Sequence, residues 1–242
     1  MLRVALLAEA ITFLTAAAMN FGVHIPLGFT TLQFPLRIIP AGIGETVIGA
    51  ALLLAGLTLN RAASWIGWWL SVGGIAFGLV ATSRSRGPAF EMHAAMVALA
   101  IAVLALLLWT RPQGAVSTPR PELRPIAGLM AVAGLTLLGA SAIHFGLLAP
   151  LIVDPFAAAA TPEAVLGGIM LAGSIALLSG RAGGWELAVA CSVLTVLLTL
   201  YGFATTLGTG RAGDITYHVT LLWMLFASVG LLLARGRKRY SR

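Results

Sequence analysis

Charge and thiols are scarce in this chain. Only 10% of its 242 residues are charged, and there is one cysteine. A soluble domain carries about 25% charged residues, so a sizeable water-facing domain is excluded. The lone Cys191 excludes an intrachain disulfide and any paired-thiolate metal site. No nucleophile triad, phosphate-binding glycine loop, zinc-protease motif or nucleotide fingerprint is present, so the sequence assigns no catalysis. What fills the chain instead is apolar: 59% hydrophobic residues and 28 glycines, with a mean hydropathy of +0.98. A spanning helix needs about 20 apolar residues. Eight would use roughly 160 and leave roughly 80 for loops and tails.

The apolar runs predict eight transmembrane helices, at about 3–23, 41–59, 63–82, 92–109, 126–145, 162–178, 183–206 and 216–234. The expected class is therefore an all-α polytopic membrane protein. The first run carries Glu9 and lacks a small-x-small cleavage site, so it is expected to stay as a spanning helix. A polar stretch at 111–125, with Pro112, Pro119, Pro121 and Pro125, reads as a linker. It divides a first four-helix repeat, 1–110, from a second, 126–242, that ends in a basic tail.

The net charge of +7 does not point to nucleic acid, because basic residues interrupt the apolar runs and do not line a solvated face. With eight spans, one side holds Arg3, Arg61, Arg111, Arg120, Arg124, Arg181 and five basic residues of the tail. The other holds only Arg37, Arg84, Arg86 and Arg211. Basic loops stay inside, so both termini are expected in the cytoplasm, in a cell inner (plasma) membrane. The lipid bilayer is the first partner implied.

The halves repeat. Arg61-Ala-Ala-Ser-Trp65 matches Arg181-Ala-Gly-Gly-Trp185, and Glu45-Thr-Val-Ile-Gly49 matches Glu163-Ala-Val-Leu-Gly167. Asn20-Phe21-Gly22 matches His144-Phe145-Gly146, and the Arg86/His93 spacing matches Arg211/His218. Four matches in one order point to tandem duplication. An even number of spans per half makes the repeats parallel.

The stretch from Pro40 through Glu45, Gly49 and Gly56 to Arg61-Ala-Ala resembles the second helix of DoxX-like four-helix membrane proteins. Glu163, Gly167 and Arg181 keep the pattern in the second half, so the resemblance covers about 30 residues of each. It implies a four-helix bundle. Some members of that family are associated with thiosulfate oxidation and quinone reduction and others with partner proteins, so a quinone-linked redox component is one implied function.

The scarce polar residues are where chemistry can be sought. His24 and His144 are expected to end helices 1 and 5, and His93 and His218 to begin helices 4 and 8, all on the external side. Neutral imidazoles suit a metal ion or a non-covalent haem, so His24, His93, His144 and His218 are the metal candidates. Equally, they fit hydrogen-bonded interfacial residues or proton relays. Glu45 and Glu163, each after a proline, are expected at helix N-termini, where a carboxylate caps free amides. Arg86 and Arg211 complete the candidate ligand-binding set, either pairing with these acids or solvating their loops. Glu9 is expected to snorkel or pair toward the cytoplasm, and Glu186 to sit in a surface ion pair.

The tryptophans at 65, 68, 69, 109 and 185 read as an aromatic belt. Gly74/Gly78 and Gly168/Ala172 read as small-residue packing sites. The first external loop, 24–40, and its counterpart, 145–161, are too apolar for water. They would roof a site or dock on a larger membrane complex or a second copy of the chain. Three functions follow: a binding or accessory protein with a His/Glu site for a lipophilic ligand, haem or metal; a quinone-linked redox component; or a structural subunit.

Overall fold

Lipid cannot satisfy backbone amides, so each apolar run must bond to itself as a helix. The computed structural model describes residues 1–26, 31–34, 37–83, 87–110, 121–147, 156–180, 183–208 and 210–236. Its eight α-helices are α1 Leu2–Asn20, α2 Ile39–Thr58, α3 Arg61–Thr82, α4 Pro88–Trp109, α5 Arg124–His144, α6 Ala157–Leu178, α7 Gly184–Leu207 and α8 Ala212–Gly236. All eight are long and apolar enough to cross a membrane. At 1.5 Å per residue they measure roughly 28–38 Å, against a hydrocarbon core of about 30 Å. Apart from them there are a 3₁₀ turn at Pro121–Leu123 and a two-residue pairing of β1, Ile25–Pro26, with β2, Thr31–Leu32.

The chain divides into two compact units, Met1–Gly114 (unit 1) and Ala115–Arg242 (unit 2). The division falls inside the expected linker, of which 111–120 lies outside the described residues. Within unit 1 each helix packs on the next and α1 also packs on α4. Within unit 2 the same holds for α5 to α8, with α5 on α8. In such a ring α1 and α3 are diagonal, as are α2 and α4, so side chains that join them lie on the unit's own axis.

Glycine sets how closely the helices approach. A side chain at Gly49 would run into Leu14 Cγ at 2.8 Å and the Ala10 carbonyl at 3.3 Å. One at Gly167 would meet Leu138 Cγ at 2.7 Å and the Gly134 carbonyl at 2.8 Å. These are among the contact glycines of α2 and α6, and Gly168 is not: nothing lies within 4 Å of a side chain added there. Outward-facing apolar residues such as Val80, Ile175 and Trp223 cover the surface, as a lipid-facing bundle requires. Trp68 departs from the belt expectation. It is buried, and its Nε1 donates to the Ala100 carbonyl at 2.8 Å.

Candidate functional site

The first helix of each unit ends in the same way. After Asn20, Phe21 caps α1 and Gly22 turns the chain at φ +87°. After His144, Phe145 caps α5 and Gly146 turns it at φ +73°. Only glycine takes this conformation freely, so the helix must stop there. The chain then returns to the same residue. Ile38 N–H donates to the Asn20 carbonyl, and Phe156 N–H to the His144 carbonyl, both at 3.1 Å. The next helix starts at the following residue, Ile39 in one unit and Ala157 in the other.

That return places the two glutamates. Each is the seventh residue of its helix, about 9 Å from the start. This corrects the capping expectation: the free amides belong to the first four residues, and neither first turn holds an acid. Helix α6 begins five residues before Pro162, which sits inside it, so proline did not mark the start. Glu45 and Glu163 are instead buried, at 8% and 7% exposure, and face the ends of the preceding helices.

In unit 1, Asn20 Nδ2 donates to Glu45 Oε2 at 2.8 Å, and His93 Nε2 lies 3.8 Å from Glu45 Oε1. Glu45 on α2 and His93 on α4 therefore meet across the unit's axis. His93 is the sixth residue of its helix and is buried, deeper than a helix-opening residue. Its Nδ1 donates to the Ala89 carbonyl at 2.6 Å, since a carbonyl can only accept. Nε2 is thus left to face the carboxyl, and one exchangeable proton can lie between them.

In unit 2, His144 Nδ1 and Glu163 Oε2 are 2.7 Å apart, a charge-assisted geometry. His144 ends α5 as expected. His218 repeats the His93 arrangement: its Nδ1 donates to the Asp214 carbonyl at 2.8 Å. Each of these rings packs over a glycine of the preceding helix. A side chain on Gly78 would collide with the His93 ring, and one on Gly202 would come within 3.2 Å of His218 Nε2. The Tyr217 hydroxyl is buried beside His218 with no hydrogen-bond partner among the described residues.

Other candidates fall away from these clusters. The glycine turn ends α1 at Asn20, so His24 lies beyond the helix and is exposed. It makes no polar contact among the described residues. Arg211 pairs with Asp214 at 3.3 Å across an exposed turn. Arg86, Asp154 and Arg181 lie outside the described residues. Among the described residues, no three of His, Cys, Asp and Glu gather as a metal site. Glu9 does not snorkel; it is fully buried and accepts from Ser71 Oγ. Glu186 is buried rather than a surface residue. Asn20 is the site residue that sequence reasoning passed over, although its register with His144 had marked it.

The clusters combine a hydrogen-bond acceptor, a donor and a transferable proton within apolar helices, which suits the polar head of a lipophilic molecule. No protein-family model, curated protein or solved structure matches the chain.

Proposed function

We propose that this integral membrane protein binds a lipophilic ligand through buried carboxyl–imidazole clusters, Asn20–Glu45–His93 in unit 1 and His144–Glu163 in unit 2. One observation carries the reading. Two glutamates, each the seventh residue of an apolar helix long enough to cross a membrane, are buried and held by the residue that ends the preceding helix. Ionisable groups inside a membrane are costly and are kept for function. The repeated motifs support tandem duplication of a four-helix unit, and the basic-residue bias supports cytoplasmic termini. The resemblance to DoxX-like proteins makes a quinone the first ligand to try. A quinone carbonyl accepts a hydrogen bond from a protonated pair.

The test is binding of decylubiquinone to detergent-solubilised protein, followed by tryptophan quenching. Saturable binding that weakens about tenfold or more in E45Q/E163Q supports the reading; one charge-assisted hydrogen bond contributes about 1.5–3 kcal/mol. Equal binding by wild type and variant, or none, overturns it for quinones. An absorption spectrum of the same sample distinguishes haem, because a Soret band lost in H93A and H218A would replace the quinone with a porphyrin.

A further inference from the structure

The inner faces of α3 and α7 correspond when aligned on the glycines beneath the histidines, Gly78 and Gly202. The register is marked by a second shared detail: Thr82 Oγ1 donates to the Gly78 carbonyl at 2.6 Å, and Thr206 Oγ1 to the Gly202 carbonyl at 3.0 Å. Moving away from the glycine, α3 presents Ile75, Ser71 and Trp68, all buried. In that register α7 presents Thr199, Thr195 and Ser192, also buried, at 4%, 0% and 0% exposure. Two bulky apolar side chains of unit 1 are thus replaced by two hydroxyls in unit 2.

Those two hydroxyls have no partner among the described residues. A serine or threonine in an apolar helix normally bonds back to the carbonyl one turn earlier, and Thr195 does so, to Cys191 at 2.8 Å. Ser192 Oγ and Thr199 Oγ1 do not, and neither finds another partner among the described residues. The face they share points into unit 2, because Gly202 beside it touches His218 of α8 and Cys191 beside it touches Gly173 of α6. Along the helix axis the three hydroxyl residues are about 4.5 and 6 Å apart. A water that bonds two hydroxyls at about 2.8 Å each spans up to roughly 5.6 Å, so the shorter gap fits one bridging water and the longer takes two.

We propose that unit 2 holds a file of water along the inner face of α7, from the His144–Glu163 pair and His218 to Ser192. Unit 1 is closed at the same depth by Ile75 and Trp68. The Tyr217 hydroxyl, also without a partner among the described residues, joins the file at its His218 end. The titratable groups around it are Glu163 on α6, His144 on α5, Asp214, Tyr217 and His218 on α8, and Cys191 on α7; by helical register Tyr201 and Glu186 lie on the other side of α7. The file keeps the Glu163 pair in contact with exchangeable protons whatever ligand is bound, so it stands apart from the ligand reading.

The sign of a stability change tests it. T199V keeps the side chain's shape and removes the hydroxyl. If water bonds that hydroxyl, T199V and S192A each lower the melting temperature of the solubilised protein, by roughly 2–4 °C. If the column is dry, removing an unsatisfied hydroxyl raises the temperature or leaves it unchanged, and the proposal fails. Deuterium uptake of wild-type protein gives a second readout that needs no variant. Peptides over 190–200 should exchange about tenfold faster than those over 66–76, and T199I should abolish the difference. Equal exchange in wild type would overturn the proposal. Neither readout involves decylubiquinone, so its outcome is independent of that assay.

Discussion

Units 1 and 2 share their packing contacts and differ along their axes. Gly49 against Leu14 has its counterpart in Gly167 against Leu138, and Gly78 under His93 in Gly202 under His218. The polar groups inside are not the same. Unit 1 places its buried acids at two points, Asn20–Glu45–His93 and, about 16 Å away along α1, Glu9–Ser71. Unit 2 has alanine at the position of Glu9, Ala133, which is buried, and spreads hydroxyls along α7. Helix contacts through glycine and the chemistry enclosed by the helices are therefore separable. The first is held constant, and the second changes by single side chains.

The largest difference between the units should appear on removing the residue that holds each glutamate. His144 meets Glu163 at 2.7 Å in a geometry that suits an ion pair, whereas Asn20 gives Glu45 a neutral donor. Breaking a buried ion pair costs about 3–5 kcal/mol; losing a hydrogen bond to a charged group costs about 1.5–3 kcal/mol. H144A is expected to destabilise unit 2 more than N20A destabilises unit 1. Two native reporters read the units separately. Buried Cys191 reacts with a thiol dye only when unit 2 opens, and four of the six tryptophans lie in unit 1. Equal losses would mean that the two glutamates are held alike, and that the His144 contact carries no more than a neutral hydrogen bond.

A smaller effect should separate the glycine contacts. At Gly167 the obstacle to a side chain is the Gly134 carbonyl, which is backbone, at 2.8 Å. At Gly49 the nearest atoms are side-chain carbons, Leu14 Cγ at 2.8 Å and Cδ2 at 2.9 Å, and the carbonyl stands back at 3.3 Å. A side chain can rotate and a helix backbone cannot, so G167A is expected to cost about 1–3 kcal/mol and G49A less. The same reporters measure it. A larger loss in G49A would mean that Leu14 is locked and that α1–α2 is the tighter pair.

Much of this was legible in the sequence, for a physical reason. Lipid demands continuous apolar helices, so their number can be read from composition. The glycine turns were visible as Phe21-Gly22 and Phe145-Gly146, but Gly22 also ends α1 short of His24, which the apolar run through Val23 concealed. Glu45 and Glu163 stood out as rare acids, while their role did not, because Pro162 reads as a helix start and the four alanines before it are good helix formers. The α7 hydroxyls were hidden by register. Trp65 and Trp185 are 120 residues apart, and Gly78 and Gly202 are 124 apart. Roughly one extra turn lies between the two landmarks, and alignment on the tryptophans sets the hydroxyls one turn out of step along α3.

The smallest effect is expected where unit 1 has an acid and unit 2 has none. Glu9 is fully buried, Ser71 Oγ donates to its Oε1, and Oε2 has no partner among the described residues. Apart from His93, unit 1's spanning helices contain only two basic residues, Arg3 and Arg61, both in the first turns of their helices. An uncompensated carboxylate in such a place carries a penalty of several kcal/mol, which a neutral side chain of the same shape avoids. E9Q retains the acceptor for Ser71 and should change stability by no more than about 1 kcal/mol, or roughly 2–4 °C in melting temperature. E9L removes that acceptor and strands the Ser71 hydroxyl, so it should cost about 1–3 kcal/mol. Tryptophan-monitored melting of the two variants separates shape from hydrogen bonding. A loss in E9Q as large as in E9L would mean that Glu9 is held as an anion by a cationic partner. The axis of unit 1 would then carry a second charged site, and its difference from unit 2 would be one of charge as well as of hydroxyl placement.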